Sequence, residues 1–488
     1  MPVPGHCHLR GWFAWSLGLL VCMAGLVRVA YLAARPGIAI GAVPDDAFYY
    51  LKLADNRVLL GTWTLDGVST TSGFHLLHAH LLGLVDLVQG PMGGDWIRML
   101  AVVGVIASIC LGLAAALVAL AAGRAFGSGA WVAPVVLSPP LLMFATMLME
   151  SHLVVLAAAA TLYVASGTSV LASRARPGVV LLGLLAALTR SDFLLLPLVL
   201  WLACALHRRS DPARFQRTGL LLLGGSAGMV VTAAHTWLVS GTLLQSSVRT
   251  KLAWTEPGPW TISVVLNVVV LVVVAGHAVL AARRGRSIAL LSDPLALGAL
   301  MSIIGYGALY LLTGKGLQPW YAASLMMPLA FVLAALGARV APRLRRVVAA
   351  VVAVGCLALS LGQLGQQLWP WQIGMLHAAE KLRADPDITH IGSWNAGILS
   401  VVSGKQVTNL DGLVDDDAAS ANEQGRLLNY LRRRQISDVV DHVDAITRQE
   451  GGLPDEALVR CLQPVAVLGE PDDPMAGSGP VTLFRLDC

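Results

Sequence analysis

The sequence predicts a mainly α-helical, polytopic membrane protein of about eleven transmembrane helices, followed by a small α/β domain outside the membrane. Three observations carry this. Only 13% of the 488 residues are charged and 56% are hydrophobic, whereas a soluble globular chain carries roughly 25% charged residues. Apolar stretches of about 20 residues, enough to cross about 30 Å of hydrocarbon, recur along the chain. From about residue 370 the pattern changes, and helix-like and strand-like segments alternate in polar sequence.

Apolar runs of spanning length fall at about 11–34, 97–122, 129–147, 151–168, 218–238, 261–282, 288–312, 320–338 and 347–369. The first has no evident small-residue cleavage site and reads as a retained span, not a removed leader. Two shorter runs, 178–189 and 193–206, flank "TRSD". A single span through Arg190 and Asp192 would bury two charges at about 2.5–3.5 kcal/mol each. The pair is therefore predicted to form a tight helical hairpin whose tip reaches the far face.

Arginine sets the orientation. With the N-terminus inside, the inner loops hold Arg10, Arg124, Arg174, Arg176, Arg208, Arg209, Arg214, Arg217, Arg283, Arg284, Arg286, Arg339, Arg343, Arg345 and Arg346. The short outer loops hold far fewer cations, among them Arg190, Arg249, Lys251 and Lys315. That asymmetry predicts an inner-membrane, multi-pass chain. An odd number of spans then leaves the tail on the outer face. The net charge of +5 thus reports topology and gives no reason to expect nucleic acid as a partner.

Two regions are not membrane: a first outer loop at 35–96, within a transmembrane part at 1–369, and the tail at 370–488. The tail runs through "GMLHAAEKLRA", "ITHIGSW", "QVTNLDG", "GRLLNYLRRRQ", "SDVVDHV", "PVAVLGE" and "VTLFRLDC", the alternation of a small α/β layer. Cys22, Cys110, Cys204 and Cys356 lie in apolar runs as small hydrophobes. Cys461 and Cys488 share the tail, where an oxidising compartment permits a disulfide.

The first loop carries the densest chemistry. In "AVPDDAFYYLKLADNRVLLG", Asp45 follows Pro44 and precedes a helical pattern in which Ala47, Tyr50, Leu51, Ala54 and Val58 share one face. The segment reads as an amphipathic helix in the membrane interface. Capping needs one aspartate; the pair Asp45 and Asp46 reads equally as a catalytic base or a cation site. Further on, His75, His78 and His80 invite a metal reading. No carboxylate follows at ligand spacing, so His78 and His80 read as interfacial helix residues. Glu150 in "MLMESHL" stands at an outer membrane edge, where an ionisable group signals function. Arg190 and Asp192 either satisfy each other or leave the guanidinium for an anionic head group. Arg249 and Lys251 add outer cations, while Trp320 and Tyr321 read as interface anchors.

These segments together resemble the GT-C superfamily of integral-membrane glycosyltransferases, which take sugars from polyprenyl-phosphate carriers. The likeness is to the bacterial branch related to protein mannosyltransferases and lipopolysaccharide core sugar transferases. It rests on "DDAFYYLKLADN" with "DGVSTTSGFH", on "MES", "LTRSD" and "GTLLQSSVRTK", and on "WNAGILSVVSGKQVTNLDGLVDD". Ser72, Leu76, His78 and Gln245 depart from the pattern, where Asn, Pro, Trp and Pro are usual. Asp45, Asp46, Gly73, Phe74, His75 and Lys251 match it.

The resemblance implies an inverting transfer from a polyprenyl-phosphate sugar donor to a cell-envelope glycan, lipid or protein acceptor at the outer face. It implies Asp45 as the base, with Asp46 holding the acceptor or a divalent cation, Mg²⁺ or Mn²⁺. Arg190, Arg249 and Lys251 are then candidates for the phosphate, Glu150 for orienting sugar or acceptor, and His75 for substrate contact. Phosphate leaves as an anion whose second pKa is about 6, so no second carboxyl is needed as general acid, unlike glycoside hydrolysis. A transporter or lipid flippase is the main rival, but such proteins commonly show internal repeats and mid-membrane breaks. A scaffold presenting the tail would leave the acidic loop unexplained. Convergence of Asp45, Asp46, Glu150 and Arg190 on one outward cavity separates these readings.

Overall fold

Small residues decide how the longest helices meet. Lipid tails are as apolar as leucine, so helices in a bilayer associate where backbones can approach closely. A Cβ on Gly18 would lie 2.6 Å from the Gly112 carbonyl oxygen, and one on Gly112 would lie 2.7 Å from that of Gly18. The helices Gly5–Ala33 and Trp96–Phe126 therefore touch backbone to backbone. The same device joins Arg176–Thr189 to Pro212–Ser240, where a Cβ on Gly224 would lie 2.0 Å from the Val180 oxygen.

The computed structural model describes residues 5–127, 129–208, 211–253, 293–312, 318–338, 340–448, 455–469 and 479–488. The expected span at 261–282 lies outside them. Among the described residues four helical stretches are long and apolar enough to cross a membrane: Gly11–Ala33, Trp96–Phe126, Pro212–Ser240 and Pro319–Gly337. Leu76–Gln89, Ser151–Ala165, Ser191–Leu206, Pro294–Tyr310 and Arg346–Gly362 are apolar but shorter. The described residues thus show a helical membrane core without reaching the expected eleven spans.

One expected span and the expected hairpin take another form. The run at 129–147 breaks into Ala130–Val132, Ala133–Val136 and Pro139–Met143, because Pro134, Pro139 and Pro140 cannot sit inside a continuous helix. Nor does "TRSD" turn a tight hairpin of two helices packed on each other. Arg176–Thr189 lies along Pro212–Ser240, while Leu195–Leu206 packs on Pro294–Leu312 as well as on Pro212–Ser240. Arg190 is extended between them, followed by a 3-10 turn at Ser191–Leu194.

The acidic helix spans Asp45–Leu60 and follows Pro44. Both aspartates stand in its first turn, where negative charge suits the helix dipole. Gly61 ends it at φ 76°, a left-handed position that suits glycine. It does not float in the interface as the sequence suggests. Phe48, Tyr49 and Leu53 are buried as well as Tyr50, Leu51 and Ala54. The helix is clasped between Leu76–Gln89 and the tail helix Ala396–Val402, so Asp55 and Asn56 of its polar face are buried too.

In the tail, strands β1 (His390–Ser393), β2 (Gln406–Asn409), β3 (Asp438–His442), β4 (Leu462–Gly469) and β5 (Val481–Leu486) form one sheet. Its order is β2-β1-β3-β5-β4. β1 pairs in parallel with β2 and β3, and β5 runs antiparallel to β3 and β4. Alternation along the strands divides the side chains between two cores. Val439 and Phe484 join a tail core around Trp394, Leu410 and Tyr430. Val440 and Leu483 join the large core that continues through the acidic helix into the membrane helices. Cys461 and Cys488 form a disulfide, their Cα atoms 5.3 Å apart.

Candidate functional site

Neighbouring residues on a helix point about 100° apart, and this separates the two aspartates. Asp45 turns to the tail. Its Oδ2 accepts the Gly397 N–H at 3.0 Å and its Oδ1 the Ile398 N–H at 2.8 Å. Asp46 lines a small open cleft of about 40 Å³, together with Tyr50, His75, Glu150, Lys251, Trp320 and Tyr321. Asp45 does not line it.

Each wall arrives by a different route. The proline breaks at 134–140 end the preceding run early and deliver Glu150 to the start of Ser151–Ala165. Glu150 is 1% exposed. Its Oε1 lies 3.6 Å from His75 Nε2 and 3.6 Å from Arg190 Nη1. Its Oε2 is buried with no hydrogen-bond partner among the described residues, an exposed need in a wall that faces empty space. Lys251 comes from the helix Ser246–Ala253, and its Nζ stands 5.5 Å from the Tyr321 ring centre.

Arg190 stands behind the cleft. It pairs in bidentate fashion with Asp192 at 3.1 and 2.8 Å and donates to the Tyr310 hydroxyl at 2.7 Å. It also donates to the Trp320 carbonyl at 3.4 Å, and its guanidinium sits 4.9 Å over the Tyr321 ring. Arg190 and Asp192 therefore satisfy each other, and Arg190 reaches the cleft through Glu150, Trp320 and Tyr321. Arg249 is elsewhere. It pairs with Glu423 at 2.9 Å and with Ser420 at 3.3 Å, on a second cleft walled by Thr70 and Asp416.

Burial dominates the electrostatics. It pushes the Asp45 carboxyl up to about 7 against the two amide hydrogen bonds, helped by the charges of Asp46 and Asp441. It raises Asp46 too, with Lys251 pulling down and Glu150 pushing up. Burial works against the Lys251 ammonium, yet Tyr321 and Asp46 hold its pKa above the ordinary lysine value. His75 falls to about 3 through burial and the cations Arg190 and Lys251. Its ring is neutral near pH 7, so its approach to Glu150 is a contact of a neutral imidazole, not an ion pair.

The tail closes the cleft with Leu413 and Val414. A Cβ on Gly73 would lie 1.7 Å from the Leu413 oxygen, so only glycine allows this approach. Ser246 Oγ donates to the same carbonyl at 3.1 Å, and Ser72 donates to Asp416 through N–H and hydroxyl, each at 3.2 Å. Trp320 and Tyr321 are cleft walls, not interface anchors. His78 is buried, its Nε2 3.0 Å from the Leu148 carbonyl oxygen. Among the described residues no three His, Cys, Asp or Glu side chains converge as metal ligands. Asp46, His75, Glu150 and Lys251 line the same cleft, and Lys251 is the leading charge that opposes the rise of the Asp46 carboxyl.

Sequence reasoning missed the joints. Asp441 gathers Ser393 Oγ, the Trp394 and Asn395 N–H groups and the Asn395 amide at 2.8–2.9 Å. Asp66 ties the first loop to Arg434 at 2.5 Å and to Thr408 at 3.1 Å. Tyr310 hides in an apolar run beside Tyr306, where a phenol is the only signal.

No protein-family model and no curated protein matches this chain. Solved structures do, two of ArnT among them. ArnT from Cupriavidus metallidurans, bound to undecaprenyl phosphate, aligns over 94% of this chain and 97% of its own at 14% identity, with a TM-score of 0.56. The same protein in the apo state aligns over 93% and 97% at the same identity and TM-score. The chain shares the fold of these structures. Residues 370–488 are about a quarter of the 488, so an alignment over 94% takes in most of the tail. The shared fold therefore extends beyond the membrane helices into the tail.

Proposed function

We propose that this protein is a glycosyltransferase of the inner membrane. In this reading it moves a sugar from a polyprenyl-phosphate carrier to a hydroxyl of an envelope glycan, lipid or protein at the outer face, with inversion. The observation that carries the reading is one cleft walled by Asp46, Glu150 and Lys251, with Glu150 Oε2 unpartnered. The GT-C fold, shared with a structure holding undecaprenyl phosphate, supports a lipid-linked donor.

In this mechanism Asp46 takes the proton of the acceptor hydroxyl, a step worth about 10²–10⁴-fold. The oxygen attacks the anomeric carbon from the face opposite the phosphate, and the carbon–oxygen bond to phosphate breaks with its electron pair. Lys251 steadies the charge that develops on the leaving phosphate. Glu150 accepts a hydroxyl of the sugar or acceptor through Oε2, and neutral His75 lines the same wall. Arg190 holds Glu150 and Tyr321 in place. The arginine asymmetry of the loops and the Cys461–Cys488 disulfide both support an outer-face tail, since disulfides persist in oxidising compartments.

Membranes containing the protein, incubated with a panel of polyprenyl-phosphate sugars, transfer label to envelope material. Asp46→Asn lowers that transfer by about 100-fold or more without changing the amount of folded protein. Unchanged transfer by Asp46→Asn removes the base assignment. Movement of the intact lipid between leaflets without transfer makes the protein a flippase.

A further inference from the structure

Asp45 differs from Asp46 in everything but sequence position, and its surroundings assign it another task. Both carboxylate oxygens are taken by backbone amides of the tail, Gly397 and Ile398. One turn on, the Tyr49 hydroxyl donates to the Trp394 carbonyl at 3.0 Å and accepts from Ala396 N–H at 3.3 Å and Asn409 Nδ2 at 3.2 Å. The approach is backbone-close: a Cβ on Gly397 would lie 2.2 Å from the Asp45 carbonyl oxygen and 2.8 Å from its carboxylate. The Trp394–Asn395 turn is fixed from behind by Asp441. Past Asn409 the chain reaches Leu413 and Val414, which wall the cleft.

We propose that Asp45 is a positioning residue, a latch that fastens the tail to the acidic helix and so builds the Leu413–Val414 wall beside Asp46. The carboxylate does not touch the reacting atoms. It bonds to amides whose segment leads through β2 to the wall, so loss of the latch loosens the acceptor side of the cleft while the base stays in place. The activity readout rests on the transferase reading; the docking readout stands without it.

Amide hydrogen exchange and transfer kinetics on the full-length protein in membranes test this. Asp45→Ala removes the hydrogen-bond acceptor, and Gly397→Ala forces the same joint apart while Asp45 stays in the chain. Both raise exchange across 394–402 and 410–414 by about tenfold or more, the change expected for losing a hydrogen bond to a charged group. In both, the acceptor KM rises more than kcat falls. Asp45→Asn, which keeps one acceptor oxygen, recovers part of the protection and retains the acid limb of the pH–rate profile. Asp46→Asn loses kcat with tail protection intact. Should Asp45→Asn abolish kcat and the acid limb while exchange stays as in the native chain, Asp45 is the base and the latch is overturned. Should the native protein transfer no sugar, exchange alone decides, and unchanged protection in both Asp45→Ala and Gly397→Ala refutes the latch.

Discussion

At the scale of single residues, the proposed mechanism makes the charge of Lys251 and the ionisation of Asp46 set when the cleft is competent. Burial raises the Asp46 carboxyl, and Lys251 is the first opposing influence. A base must be ionised, so kcat/KM falls on the acid side as Asp46 is protonated, with the limb above the value of about 3.9 for a free aspartate. Lys251→Met removes the charge that pulls Asp46 down. The carboxyl then rises further, and the acid limb moves to higher pH. A pH profile of kcat/KM in both proteins checks this; an unmoved limb means that another group titrates. The same substitution lowers kcat/KM at the plateau, since the cleft loses the cation that the proposed mechanism assigns to the leaving phosphate.

At the scale of elements, glycine spacing does work that hydropathy alone does not reveal. Gly224→Ala places a Cβ 2.0 Å from the Val180 oxygen, and overpacking of this kind typically costs about 1–3 kcal/mol. Thermal unfolding in detergent measures it, and the melting temperature falls. Gly123→Ala, a helical position where a Cβ meets nothing within 4 Å, leaves the melting temperature nearly unchanged. Element types were legible where one rule governed the segment: the apolar runs, the acidic helix from Asp45 and the alternating strands of the tail. They failed where two rules competed. The prolines at 134, 139 and 140 broke a run that hydropathy read as one span. The acidic helix looked interfacial because its polar face is invisible to periodicity once another segment covers it. For the same reason Tyr321 passed as an anchor and Arg249 as a phosphate ligand. Asp46, Glu150 and Lys251 stood out because charges beside an apolar run need a stated partner, whereas the choice between Asp45 and Asp46 depended on Gly397, some 350 residues away.

At the scale of the whole molecule, the tail and the cleft share one orientation, because Leu413 and Val414 belong to the tail and wall the space beside Asp46. The large core runs unbroken from the membrane helices to one face of the sheet, so the tail does not dock as a detached unit. Cys461 and Cys488 report which side that unit faces. In intact cells a membrane-impermeant thiol reagent labels the exposed Cys488 only after reduction, and mass spectrometry of the terminal peptide detects it. Labelling that requires permeabilised cells puts the tail, and with it Asp46, on the inner side. Replacing both cysteines by serine lowers stability by up to about 3.5 kcal/mol, the chain-entropy value for a closed loop of 27 residues. The leaflet whose head groups reach Asp46 is the leaflet beneath the disulfide, so one labelling experiment on the last residue of the chain fixes the side on which a lipid carrier would have to present its sugar.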